Sequence, residues 1–126
     1  MSYDLLLVML ILFQTKHLVA DFVFQSTWMI QTKGIYGHPG GLCHSGMHAV
    51  LGAAVLLFAP ISIVMVVLIS VAEFIVHYHV DWIKDRKLKE LGFKASEKGF
   101  WILAGLDQFA HQVTYVGMLL VITRIA

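Results

Sequence analysis

Ile61-Ser62-Ile63-Val64-Met65-Val66-Val67-Leu68-Ile69-Ser70-Val71-Ala72-Glu73-Phe74-Ile75-Val76-His77-Tyr78-His79-Val80-Asp81-Trp82-Ile83-Lys84 carries no charged side chain before Glu73. A helix over this run, rising about 1.5 Å per residue, is long enough to cross roughly 30 Å of hydrocarbon. Three more apolar runs flank it, and breakers divide them. Gly34, Gly37, Pro39, Gly40 and Gly41 interrupt the chain on one side of the second run, and Pro60 makes a tight connection between the second and the third. The polar residues 85–98 follow, with Ser96 placed to cap the last helix. The pattern predicts an all-α, four-helix transmembrane bundle in one domain, residues 1–126, with helices over about 4–31, 43–59, 61–84 and 99–122. The second, the shortest, reads as a tilted or partly re-entrant segment.

Composition points the same way. Of 126 residues 59% are hydrophobic and 13% charged, against about half and about a quarter in soluble domains. A soluble domain would need far more charge to cover its core. The net charge of +1 and the lack of a basic run interleaved with aromatics set nucleic-acid binding aside. Cys43, the only cysteine, can form neither an internal disulfide nor a thiolate zinc pair. No basic segment precedes the first apolar run and no small-residue cleavage site follows it, so that run is expected to be a retained helix.

Basic residues orient the bundle. Lys84, Arg86, Lys87, Lys89, Lys94 and Lys98 cluster in and beside the third connection, which the positive-inside rule places in the cytoplasm. Four crossings then put the Lys33 loop on the same side and both termini outside. Trp28, Tyr36, Trp82 and Trp101 fall near that edge, where amphipathic aromatics settle. The expected location is a bacterial inner membrane, crossed several times.

Ionisable side chains in hydrocarbon are costly and need a reason. Here they come in pairs: His17 and Asp21, His44 and His48, His77 and Asp81, Asp107 and His111. Each pair is spaced i, i+4, which sets two side chains on one helix face about 6 Å apart. Counted back from the cytoplasmic ends, the four pairs occupy overlapping depths in that half of the bilayer, at about 1.5 Å per residue. One intramembrane pair is better read as a structural interhelical hydrogen bond. Four pairs converging on one level reverse that preference.

Five imidazoles and three carboxylates exceed the four ligands of one zinc. A divalent metal, zinc first and manganese or iron as alternatives, is therefore expected as one or two ions. A two-metal centre about 4 Å across would clamp a phosphoryl or carbonyl oxygen and acidify a bridging water. Gln25, Lys84 and Gln108 would support or neutralise the site, and Glu73 or Asp107 would take the water's proton. His38, in the glycine-proline loop, and His79, roughly 200° around the helix from His77, are expected to lie off the site. Lys16 must snorkel or find a partner. The phenylalanines and methionines are expected to face lipid or pack, and the basic loop to set topology.

The segments His17-Leu18-Val19-Ala20-Asp21-Phe22-Val23-Phe24-Gln25, His44-Ser45-Gly46-Met47-His48, His77-Tyr78-His79-Val80-Asp81-Trp82-Ile83-Lys84 and Asp107-Gln108-Phe109-Ala110-His111 resemble the small membrane-protein family catalogued as domain of unknown function 3307, found in bacteria and phages. More loosely, they are similar to membrane-bound metal-dependent hydrolases. The first resemblance spans nearly the whole chain and implies the site residues more than a reaction.

The leading expectation is a membrane-embedded, metal-dependent hydrolase acting on a lipid-type ester or phosphodiester at the cytoplasmic leaflet. A proton- or metal-ion-translocating protein is the second reading, since relays use the same residues. The third is a non-enzymatic phage or bacterial factor that binds a host membrane protein. Membrane lipid is the expected partner, and a homodimer would enlarge the small volume that four helices enclose.

Overall fold

The structure is a computed structural model describing residues 1–126, all of its regular elements being helical. The Ser2 hydroxyl accepts a hydrogen bond from the Leu5 amide at 3.2 Å and so opens α1, Tyr3–Val19. The helix passes into a π-helical turn, Ala20–Phe24. Gln25 is extended, and Ser26 caps a new short helix, α2, Thr27–Thr32, by accepting from the Met29 amide at 3.3 Å. The continuous helix expected over 4–31 is therefore two helices and a π turn. A serine that binds backbone amides beyond itself offers the chain an alternative to helix.

The other boundaries shift for similar local reasons. α3, Pro39–Leu56, starts four residues earlier than expected, because Pro39 sits in its first turn, where the missing N–H costs nothing, and the His38 ring accepts from the Gly40 amide at 3.1 Å. α4, Ile63–Leu91, runs past Lys84 through residues expected to be loop. Glu90 accepts from Arg86 at 2.7 Å and from Lys87 at 2.8 Å, pairings that the helical spacing brings together. Gly92, at φ 66°, ends it in the left-handed conformation. α5, Lys98–Ile125, has Glu97 and not Ser96 at its cap position, without a capping hydrogen bond from that side chain. Glu97 instead ties the loop by accepting from the Lys94 amide at 2.7 Å.

α1 packs on α3 and α5, α3 on α4, and α4 on α5, giving a ring in which α1 and α4 are diagonal. Along the length of the bundle the interior is divided in two. One half is apolar: Met9 and Phe13 meet Val55, Leu56, Val66, Ile69, Tyr115, Met118, Leu119 and Ile122. The other half holds the histidines and aspartates. The outer faces stay apolar, with Phe22 at 72% and Val50 at 70% exposure, so the polar groups are inside and the greasy ones outside. That inversion is expected of a chain solvated by lipid. Two helical spans, Tyr3–Phe24 and Ile63–Leu91, are long and apolar enough to cross a membrane.

Candidate metal centre

Each of four helical segments delivers its i, i+4 pair to the same place. His17 lies at the end of α1, Asp21 in the π turn, His44 in the first half of α3 and His48 at its middle. His77 and Asp81 come from the middle of α4, Asp107 and His111 from α5. The end of α1 thus meets the central turns of α3, α4 and α5.

The carboxylates organise the imidazoles. Asp21 Oδ1 lies 3.2 Å from His44 Nε2 and 3.0 Å from His48 Nε2, and its Oδ2 lies 3.1 Å from His17 Nε2. Asp81 Oδ2 is 3.1 Å from His44 Nε2 and 3.5 Å from His77 Nε2, with Oδ1 at 3.3 Å from His111 Nε2. Asp107 Oδ1 stands 3.4 Å from His111 Nε2. All five rings thus turn Nε2 inward, and all five are buried. His48, His77 and His111 stack, with successive centroids 3.8 and 4.2 Å apart.

This donor set fits a cation better than it fits hydrogen bonds alone. His44 Nε2 is approached by Asp21 Oδ1 at 3.2 Å, Asp81 Oδ2 at 3.1 Å and His77 Nε2 at 3.3 Å, whereas one ring nitrogen offers at most one hydrogen. A positive charge among these lone pairs would satisfy all of them. Two groups have ligand atoms within 4.8 Å of one another: Asp21, His44, His48 and His77, and then His77, Asp81 and His111. His77 is common to both. His17 and Asp107 stand outside those groups, at the edges, against Asp21 and His111. Nitrogen and carboxylate oxygen suit zinc, and equally manganese or iron.

Of the expected supporting residues, Gln108 fits closely: its Oε1 is 3.1 Å from His17 Nε2 and its Nε2 donates to Asp107 Oδ2 at 3.3 Å. Gln25 donates to the Asp21 backbone carbonyl at 2.9 Å. Lys84 pairs with Asp85 at 2.7 Å and reaches the site only through the cleft described below. Glu73 is buried on the far side of the cluster, ion-paired to Lys16, with Gly52 so close that a Cβ there would overlap its carboxylate. It does not line the cleft.

Three contributors were not expected from the sequence. Lys16 is buried, donates to the His48 carbonyl at 3.1 Å and lies 4.6 Å above the Tyr115 ring. The Tyr115 hydroxyl is 2.8 Å from His17 Nδ1, so it orients that ring. Lys33 donates to Asp81 Oδ2 at 3.3 Å and to Gln25 Oε1 at 3.0 Å. The one available signal was Lys16 itself, a cation embedded in an apolar run that demanded a partner. His38 and His79 stand apart as expected, the first capping α3, the second held by the Ile75 carbonyl and Tyr36.

A cleft of about 430 Å³ opens onto the cluster between the π turn and α5. Asp21, Asp107 and Gln108 line it, as do Lys33 and Lys84, with Phe22 and Trp101. A family model described as "Protein of unknown function (DUF3307)" matches residues 6–125. No curated protein and no solved structure matches the chain, and none of these comparisons carries the looser hydrolase resemblance.

Proposed function

The chain belongs to the DUF3307 family, and on that premise we propose that it is a membrane-embedded, metal-dependent hydrolase that cuts a lipid-type ester or phosphodiester at the cytoplasmic leaflet. α1, α3, α4 and α5 all cross the bilayer of a bacterial inner membrane, with both termini outside and the basic residues of α4 and its following loop inside. The observation that carries the reading is the convergence of five Nε2 atoms and three carboxylates on one another, with two of the carboxylates, Asp21 and Asp107, lining an open cleft.

His44, His48, His77 and His111, with Asp21 and Asp81, would hold one or two divalent ions, and His17 and Asp107 would complete the rim. Such an ion, when bound, polarises a phosphoryl or carbonyl oxygen and makes a neighbouring water more acidic. Asp107 then serves as the base: it lines the cleft, and its buried Oδ1 makes no hydrogen bond, only the 3.4 Å approach to His111 Nε2. As the water oxygen attacks phosphorus or the carbonyl carbon, Asp107 takes the proton, and it returns that proton to the departing oxygen. Glu73 is the weaker candidate, because Lys16 holds it away from the cleft. Tyr115 and Gln108 fix the His17 ring, and the apolar half of the bundle keeps the site open on one side only. That apolar plug is also why ion translocation ranks second, since no polar path continues through Met9, Phe13, Leu56 and Ile122.

Elemental analysis of protein purified without chelator is expected to return at least one zinc, manganese or iron per chain, together with metal-dependent release of product from a lipid ester or phosphodiester. A preparation free of stoichiometric metal would remove the reading.

A further inference from the structure

Three cavities meet at Lys84. The cleft of about 430 Å³ has Asp21 and Asp107 beneath it. A second space, about 330 Å³, shares Gln25, Lys33 and Lys84 with it and continues past Asp85 to Lys89. A third, about 260 Å³, shares Lys84 and Asp107 and lies between α4 and α5, lined by Val80, Ile83, Leu103 and Leu106. From the carboxylates one path therefore leads to ammonium groups and the other along an apolar groove.

The ammonium groups have donors to spare. Each lysine carries three N–H bonds. Lys33 uses two, to Gln25 and Asp81, and Lys84 one, to Asp85. Lys33 is only 7% exposed, and a buried cation with an unused donor on a cleft wall favours an anionic ligand. A phosphate offers charge and several acceptor oxygens there. A neutral ester offers one weak acceptor, and the desolvated ammonium gains little from it.

We propose that Lys33 and Lys84 bind the phosphate of a lipid-linked phosphate whose hydrocarbon chain lies in the groove between α4 and α5. The proposal rests on the hydrolase reading for the role of the bound lipid, and it specifies the substrate as a phosphate ester. Charge complementarity selects the headgroup, and the continuity of cleft and groove at Lys84 and Asp107 selects a ligand with both parts. Asp21 and Asp107 repel an anion from the bare cluster, so a divalent ion held there should tighten binding.

The test uses the full chain in maltoside micelles, titrated with dodecyl phosphate, inorganic phosphate or glycerol monolaurate and followed by phosphorus NMR, the neutral ester as competitor. Dodecyl phosphate is expected to bind, more tightly in zinc-loaded than in chelator-treated protein, and glycerol monolaurate is expected not to displace it. Lys33→Met and Lys84→Met should each weaken it about tenfold or more. Lys84 is half-buried, so its variant keeps the test decisive if Lys33→Met does not fold. Leu103→Trp, which fills the groove, should weaken dodecyl phosphate relative to inorganic phosphate. Undiminished binding in Lys84→Met, or displacement by the neutral ester, overturns the proposal. Equal affinity for the two phosphates, unaltered by Leu103→Trp, overturns the chain-binding half and identifies a free-phosphate site. Zinc uptake without lysine-dependent phosphate binding leaves the hydrolase reading standing and removes this one. Lysine-dependent binding in a chain that takes up no metal does the reverse.

Discussion

Replacing Lys16 by Met should strand Glu73. The carboxylate is 1% exposed, its Oε2 already lacks a partner, and Lys16 is the cation that Oε1 holds. Removing one member of a buried ion pair costs about 3–5 kcal/mol, and the absence of any substitute partner places Lys16→Met near about 5. Glu73→Leu should cost less, about 3 kcal/mol, because the ammonium keeps the His48 carbonyl at 3.1 Å and the Tyr115 ring at 4.6 Å. Simple addition would give the double variant a loss of about 8 kcal/mol, yet an apolar pair of similar volume leaves no charge behind and should cost about 2 or less. Unfolding in mixed dodecyl maltoside and dodecyl sulfate micelles, followed by helical circular dichroism, measures all three. A loss below about 1 kcal/mol for Lys16→Met, or a double variant as unstable as the sum, would refute the reasoning. The double variant has a second use: its fold recovers while His48 loses the anchor on its carbonyl, so stability and metal affinity should part.

Asp81→Asn, which removes the charge shared by His44, His77 and His111, should lower zinc affinity by at least about a hundredfold in a chelator-competition titration; His79→Ala should leave it unchanged. Acidification should release zinc, because protons compete for the same Nε2 lone pairs. With two or more imidazoles per ion, apparent affinity should fall by about a hundredfold per pH unit below the usual imidazole range, read as zinc release between about pH 7 and pH 5, whereas an ion held by oxygens alone would stay until carboxylates titrate.

The four His and Asp pairs were legible in the sequence because helical spacing and membrane depth are both simple functions of residue number. Two side chains four residues apart share a face wherever the helix begins, so errors at the boundaries did not move His77 relative to Asp81. What depended on single hydrogen bonds was not legible. Ser26 broke the first helix with one bond to Met29, and Pro39 opened a helix where a loop was expected. Arg86, Lys87 and Glu90 prolonged α4 through residues whose charge suggested a loop. Lys16 and Glu73 are 57 positions apart, on helices that face each other only across the bundle. No local pattern connects them: Lys16 was visibly a charge in want of a partner, but Glu73 was read as a proton acceptor at the metal site.

The break in the first helix also explains how the two central carboxylates are held to one another. Past the π turn the chain leaves the helix, and the Asp21 carbonyl, near that end, accepts from the Gln25 side chain at 2.9 Å. Gln25 Oε1 in turn accepts from Lys33 at 3.0 Å, and Lys33 donates to Asp81 Oδ2 at 3.3 Å. A path of three side-chain hydrogen bonds thus runs from the backbone of Asp21, on one wall of the cluster, to the carboxylate of Asp81, on another. An unbroken helix over residues 20–31 would carry Lys33 along the α1 axis and away from Asp81. π turns are frequent at functional sites because they trade regular helix for placement. Here the trade brings to the mouth of the cleft a cation that fixes Asp81 and still has a donor to offer.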